Sequence, residues 1–111
     1  MRTILRELET HLFPAAAGPS PKASGKIERK TYGDGTERLK VKVRKLDVPD
    51  GRTATVTAGN VVLCEMEVTR GRGEFDREEP AGGALPKLAA GQLVEVRVGE
   101  DVHLRGELCV D

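Results

Sequence analysis

A chain of 111 residues holds one domain, and at that size roughly two-thirds of the unfolded surface can be buried without a metal or disulfide staple. Thirteen glycines, six prolines and only Phe13, Tyr32 and Phe75 as aromatics favour short strands and turns over long helices. Eighteen Lys and Arg offset eighteen Asp and Glu, which argues against a generic nucleic-acid binder, because that needs a cationic surplus to displace counterions.

The charge is nonetheless split along the chain. Residues 1–52 carry 12 basic against 7 acidic side chains, and residues 53–111 carry 6 against 11. If the two halves interleave in one fold, this asymmetry becomes cross-strand pairing. Cys64 and Cys109 form no CxxC, and neither lies near His11 or His103 at a metal-ligand spacing. The first thirteen residues are broken by Arg2, Arg6, Glu7 and Glu9, so they hold no continuous apolar signal region. No stretch approaches the length of a membrane span. The expectation is a cytoplasmic protein with both thiols reduced and no membrane contact.

From the N-terminus, Ile4, Leu5, Leu8 and Leu12 recur at helical spacing, with Thr3 placed to cap and Pro14 to stop the pattern. The spacing predicts an amphipathic helix over 3–13, within an N-terminal unit 1–13. Eleven residues do not make a stable helix alone in water, so the stripe must pack on its own domain, a second copy or a partner. Residues 14–25, with three prolines and two glycines, read as a linker. The remainder, 26–111, reads as a β domain.

Within it, 26–32 is a first strand and Asp34-Gly35 a hairpin turn. Residues 36–46 alternate most clearly, with Leu39, Val41 and Val43 on one face and Arg38, Lys40, Lys42 and Arg44 on the other. Strands follow at 53–58, at 61–69 (Val62, Cys64, Met66 and Val68 in phase), around Phe75, at 93–98 and at 102–110. The last has Gly106 in its middle, a sign of a bulge or a close backbone approach. The predicted core is Leu39, Val41, Val43, Val56, Val62, Met66, Val94, Val96, Leu104 and Leu108. A forty-residue echo links Gly51, Ala54, Val56, Ala58, Gly59, Val62 and Val68 to Gly91, Val94, Val96, Val98, Gly99, Val102 and Leu108, as two related hairpins would.

No catalytic constellation or cofactor motif emerges. Ser20 and Ser24 lie in or beside the linker, and alternation puts His103 outward with Arg105, Glu107 and Cys109. Arg70-Gly71-Arg72-Gly73 reads as a turn, not a phosphate loop. Glu74, Asp76, Glu78 and Glu79 form an acidic stretch without EF-hand spacing. The basic row on 38–44 reads as a structural charge ladder, set against Glu65 and Glu67 or Glu95.

Gly25, the Arg38–Val43 strand, Pro49-Asp50-Gly51, Leu85-Pro86, Gly91 and Leu104-Arg105-Gly106-Glu107-Leu108 together resemble a small bacterial β-sandwich module that recurs singly or in tandem, and are similar in strand pattern to CHRD-type domains. The resemblance covers about 23–110 and implies an immunoglobulin-like, all-β architecture with no catalytic residue to transfer. The expectation is therefore an antiparallel immunoglobulin-like sandwich of about seven strands with a short N-terminal helix. It is expected to be no enzyme, without cofactor or metal, and to act as an interaction or structural module. Ile4, Leu5, Leu8 and Leu12 would dock the helix to a protein partner or a second copy. The alternative is a small-ligand or metal-ion domain using the 74–91 loop.

Overall fold

The structure, a computed structural model, describes residues 3–16, 18–80, 85 and 88–110. It is all-β and antiparallel: β1 (Ile4–Pro14), β2 (Ser24–Tyr32), β3 (Glu37–Arg44), β4 (Thr53–Ala58), β5 (Val61–Glu67), β6 (Gly73–Glu79), β7 (Leu93–Val98), β8 (Asp101–Glu107) and β9 (Cys109–Val110). They form one continuous sheet in the order β5-β4-β7-β8-β1-β2-β3-β6, with β9 added beside β1. The sheet curls into a nearly closed barrel-like body. The expected seven-stranded immunoglobulin-like sandwich is replaced by this single wrapped sheet, because one strand continues it from one half to the other.

That strand is β1, where a helix was expected. A spacing of four residues satisfies both periods: it is one turn of helix, and it is also two pleats of a strand. Leu8 and Leu12 are buried at 2% and 1% exposure, as strand alternation requires, while Leu5 remains 68% exposed. An irregularity in the pairing between Ile4 and Arg6 takes the start of the strand out of phase. The docking stripe is therefore split, with Leu8 and Leu12 in the core and Ile4 and Leu5 at the surface.

One side of β1 pairs with β2 from Ile4 to Leu12. On its other side Phe13 and Pro14 face Arg105 and Leu104 of β8, and Leu8 and Glu9 face Val110 and Cys109 of β9. The register is the same on both sides of the gap. In that gap Gly106 comes so close that a Cβ would stand 2.6 Å from the His11 carbonyl oxygen and 2.9 Å from Leu12. A mid-strand glycine is required there.

Described residues of the expected linker 14–25 take part in the fold. Pro14 ends β1, Ser24 and Gly25 begin β2, and Ser20 and Ala23 are buried. Inside, Leu39, Val41, Val43, Val56, Val94, Val96, Leu104 and Leu108 are at most 1% exposed, with Met66 at 5%. Val62 departs from the expected core, at 54% exposure. The β4–β5 pairing slips between Val56 and Thr57, so Leu63 and Cys64 both turn inward and Val62 turns out, as a bulge dictates.

The forty-residue echo is structural. Thr53–Glu67, Val56–Cys64 and Thr57–Val62 in β4–β5 have their counterparts in Leu93–Glu107, Val96–Leu104 and Arg97–Val102 in β7–β8, with the slip at the same place. Gly51 donates to Val68, and Val68 to Arg52; Gly91 donates to Leu108, and Leu108 to Gln92. The turn glycines Gly59 and Gly99 share φ values of 58° and 61°. β4 and β7 pair symmetrically about Val56 and Val96, so a pseudo-twofold axis relates the two hairpins.

Chemical denaturation tests the strand assignment. Leu12→Ala should cost about 2–5 kcal/mol, while Leu5→Ala should stay within about 0.5 kcal/mol. Gly106→Ala should cost about 1–3 kcal/mol through overpacking. Equal, small losses at Leu5 and Leu12 would remove β1 from the core.

Candidate functional site

The four residues expected to form a docking stripe are not brought together. Leu8 and Leu12 lie under the sheet, and Ile4 and Leu5 are exposed at the start of β1. The molecule instead presents three arrangements with chemical content: a charged sheet face, a sealed serine–histidine pair and an open strand edge.

The outer face of β1, β2, β3 and β6 is a charge lattice set by register. Glu7, Lys30, Arg38 and Glu78 form one rung, and Glu9, Glu28, Lys40 and Asp76 the next. His11, Lys26, Lys42 and Glu74 form the third. Lys26 reaches Glu28 at 3.2 Å and Glu9 at 3.5 Å, and Lys30 reaches Glu28 at 3.4 Å. Arg38 donates to both oxygens of Asp76, through Nε at 2.8 Å and Nη2 at 2.5 Å. That fork holds the Asp76 carboxyl below its usual range. Burial acts to raise Glu28, but Lys26 and Lys30 outweigh it and the net shift is downward. The basic row is thus a structural ladder, as the sequence suggested, but its partners are on β2 and β6 in place of Glu65, Glu67 and Glu95. Exposed pairs of this kind contribute at most about 1 kcal/mol each. Their effect is a face with almost no net charge, unsuited to a polyanion.

Sequence alternation put His103 outward, whereas it is 2% exposed. The cause is the slip between Val96 and Arg97, which turns His103 and Leu104 inward together. Its Nδ1 lies 2.5 Å from Ser20 Oγ, and Ser20 Oγ accepts the Asp47 backbone N–H at 2.7 Å. A hydroxyl that accepts from Asp47 still has its proton to give to Nδ1 of a neutral imidazole. Burial lowers the His103 pKa, against the opposing pull of Asp101 and Asp47. Ser20 is only 1% exposed, so this pair fastens the 15–23 segment to β8 and to the turn after β3. The sequence signal for His103 was available in the hairpin echo, which aligns it with Leu63.

Arg29 is a second buried polar group missed by the sequence reading, at 6% exposure, with Nη2 3.0 Å from Glu37. It shares the strand phase of Ile27, which was a legible sign. Cys64 is buried and Cys109 exposed, and burial pushes the Cys64 thiol up to about 12. Among the described residues no group of three or more His, Cys, Asp or Glu is placed to hold a metal ion. Nor is any helix of the described residues long and apolar enough to cross a membrane.

The third arrangement is the mouth of the barrel. β5 and β6 end the strand order and are joined by a tight turn in which Thr69 and Arg72 exchange backbone hydrogen bonds at 2.9 and 3.0 Å. They touch near that turn, where Gly73 lies against Met66, and share no ladder among the described residues, β5 pairing with β4 and β6 with β3. Along this edge Val61 and Val62 are 53% and 54% exposed, and Leu93 nearby is 48% exposed. Glu65 and Glu67 on β5 are exposed. Compared with known proteins, the chain shows no significant match to a family model, a curated protein or a solved structure.

Two measurements check the buried groups. A histidine whose folded pKa lies below its unfolded value of about 6.5 takes up fewer protons folded than unfolded. Its contribution is complete above about pH 6.5 and is lost as pH falls below that toward the folded pKa. Wild-type Tm should therefore fall between pH 7 and 5 more steeply than that of His103→Gln; parallel profiles would contradict the buried neutral ring. Reductant should leave Tm unchanged, and an alkylating reagent should label Cys109 well ahead of Cys64.

Proposed function

We propose that the chain is a non-catalytic interaction module that binds other polypeptides through its sheet, and that it works in the cytoplasm with both thiols reduced. The observation that carries this reading is the edge strand β5, which ends the strand order among the described residues and carries Val61 and Val62, each about half exposed, with half-exposed Leu93 of β7 beside the β4–β5 turn. Proteins commonly blunt such edges by covering or closing them, and exposed apolar groups beside free backbone donors and acceptors form a template for strand addition.

Two features support a binding role over catalysis. Ser20 and His103 spend their hydrogen bonds on each other and on the Asp47 backbone, beneath the surface. Glu74, Asp76 and Glu79 of the acidic stretch are ion-paired with Lys42, Arg38 and Arg77, which leaves less carboxylate capacity for a hard cation than the sequence suggested. The rest of the 74–91 loop reading falls partly on 81–84 and 86–87, outside the described residues.

A photoreactive residue placed singly at Phe13, Val62, Leu93 or Lys40, in the cell that makes the chain, tests this. Discrete protein adducts are expected from at least one of the three apolar positions, with Lys40 silent in its neutral lattice. Absence of protein adducts from all four would overturn the interaction reading.

A further inference from the structure

We propose that the outer edge of β5 at residues 61–65, clear of the turn where Gly73 lies against Met66, accepts an extended segment of a partner protein, running antiparallel and carrying Lys or Arg side chains that meet Glu65 and Glu67 on the outer face. This rests on the interaction reading above and names its site and the chemistry of its partner.

The argument starts from the pseudo-twofold axis. β5 in the first hairpin is the counterpart of β8 in the second, residue for residue and slip for slip. The outer edge of β8 is occupied: Pro14 faces Leu104, Phe13 faces Arg105, and the Ala15 N–H donates to the His103 carbonyl at 3.1 Å. The corresponding residues of β5 are Cys64, Glu65 and Leu63. Among the described residues β5 has no ladder on that side, being the last strand in the order. The fold therefore displays, within one molecule, the same edge with its covering strand and without it. What covers the first copy shows what fits the second: a few residues of extended backbone, antiparallel to the edge.

Side chains at the two edges differ in a way that selects the occupant. Arg105 finds a countercharge within its own sheet, with Nε 2.8 Å from Glu95. The counterpart of Glu95 is Thr55, which faces Glu65 across the β4–β5 ladder. Glu65 and Glu67 are thus exposed carboxylates with no ion pair to any described residue. An incoming strand lies about 4.8 Å away and can meet them with alternate basic side chains, while Val62 offers apolar contact on the same outer face. A second copy is the poorer occupant, since edge-to-edge pairing of two β5 strands would bring two unneutralised Glu65–Glu67 pairs onto one face.

The probe is a synthetic eight-residue peptide of alternating Lys and Thr, titrated into the full chain and followed by amide hydrogen exchange and chemical-shift mapping. Slowed exchange of tenfold or more is expected on β5 amides, with shifts confined to 61–67. Glu65→Lys with Glu67→Lys, two exposed sites, should weaken the peptide at least tenfold and let the alternating Glu–Thr peptide bind instead. Equal binding of a Lys peptide interrupted by proline would show attraction by charge alone and overturn strand addition. Shifts on β6, unmoved by the charge reversal, would overturn the edge assignment while leaving the interaction reading intact. A wild-type dimer with β5 amides already protected would overturn it in favour of a second copy.

Discussion

Strand β1 must serve two sets of neighbours at once, and the rest of the molecule depends on that constraint. Along most of its length it is the partner of β2, and at its C-terminal end it is the partner of β8. It can do both because β8 and β9 keep a single register against it across a gap, and because Gly106 lets the backbones approach in that gap. Leu8 and Leu12 bury their side chains on the inner face of this strand. Burial of a large aliphatic side chain contributes about 1.5–3 kcal/mol, so these two anchor the strand. Without them the β2-β3-β6 and β5-β4-β7-β8 halves would be two open sheets, each with an exposed apolar face.

The sequence made most of the strands legible and misread the one that joins them. Period-two alternation located β3, β4 and β7 closely, because each runs through uninterrupted Val, Leu or Ala at every second position. It failed at β1 because Leu8 and Leu12 are spaced by a number that both periods share, and the acidic and basic residues between them fit either face. It failed at Val62 and His103 for a different reason. A bulge adds one residue to a strand and inverts the phase beyond it, and nothing in a single hairpin marks its position. The two hairpins taken together came closer, since their echo places Leu63 and His103 at equivalent sites. The candidate binding edge was less legible still, because an edge is defined by the strand that is missing beside it, a property of topology and not of local pattern.

Charge follows the same topology. The cationic surplus of the first half of the sequence and the anionic surplus of the second suggested pairing between halves, and Arg38 with Asp76 and Lys42 with Glu74 show it. Much of the compensation is nonetheless local, within β1, β2 and β3, where Lys26 and Lys30 each bridge two carboxylates. The β1-β2-β3-β6 face is therefore close to neutral, while Glu65 and Glu67, with no ion pair to any described residue, lie on the other half of the sheet. Neutrality of the whole chain hides this unevenness, which is where the molecule's selectivity for a partner would reside.

Two equivalent hairpins and one covering strand make the open edge a consequence of the design. A pseudo-twofold axis creates two matching outer edges, on β5 and on β8, but the chain supplies a single β1, and that strand covers β8. An uncovered edge invites pairing with identical molecules unless something opposes it. Glu65 and Glu67 supply that opposition, since they repel a second copy of themselves more than they repel any neutral or basic strand. On the proposed reading the same two side chains would act in both directions, opposing sheet growth between copies and leaving the edge complementary to a cationic segment. An aliphatic pair at those positions would have made the edge stickier and less selective, so on the proposed reading their charge suits a strand that visits.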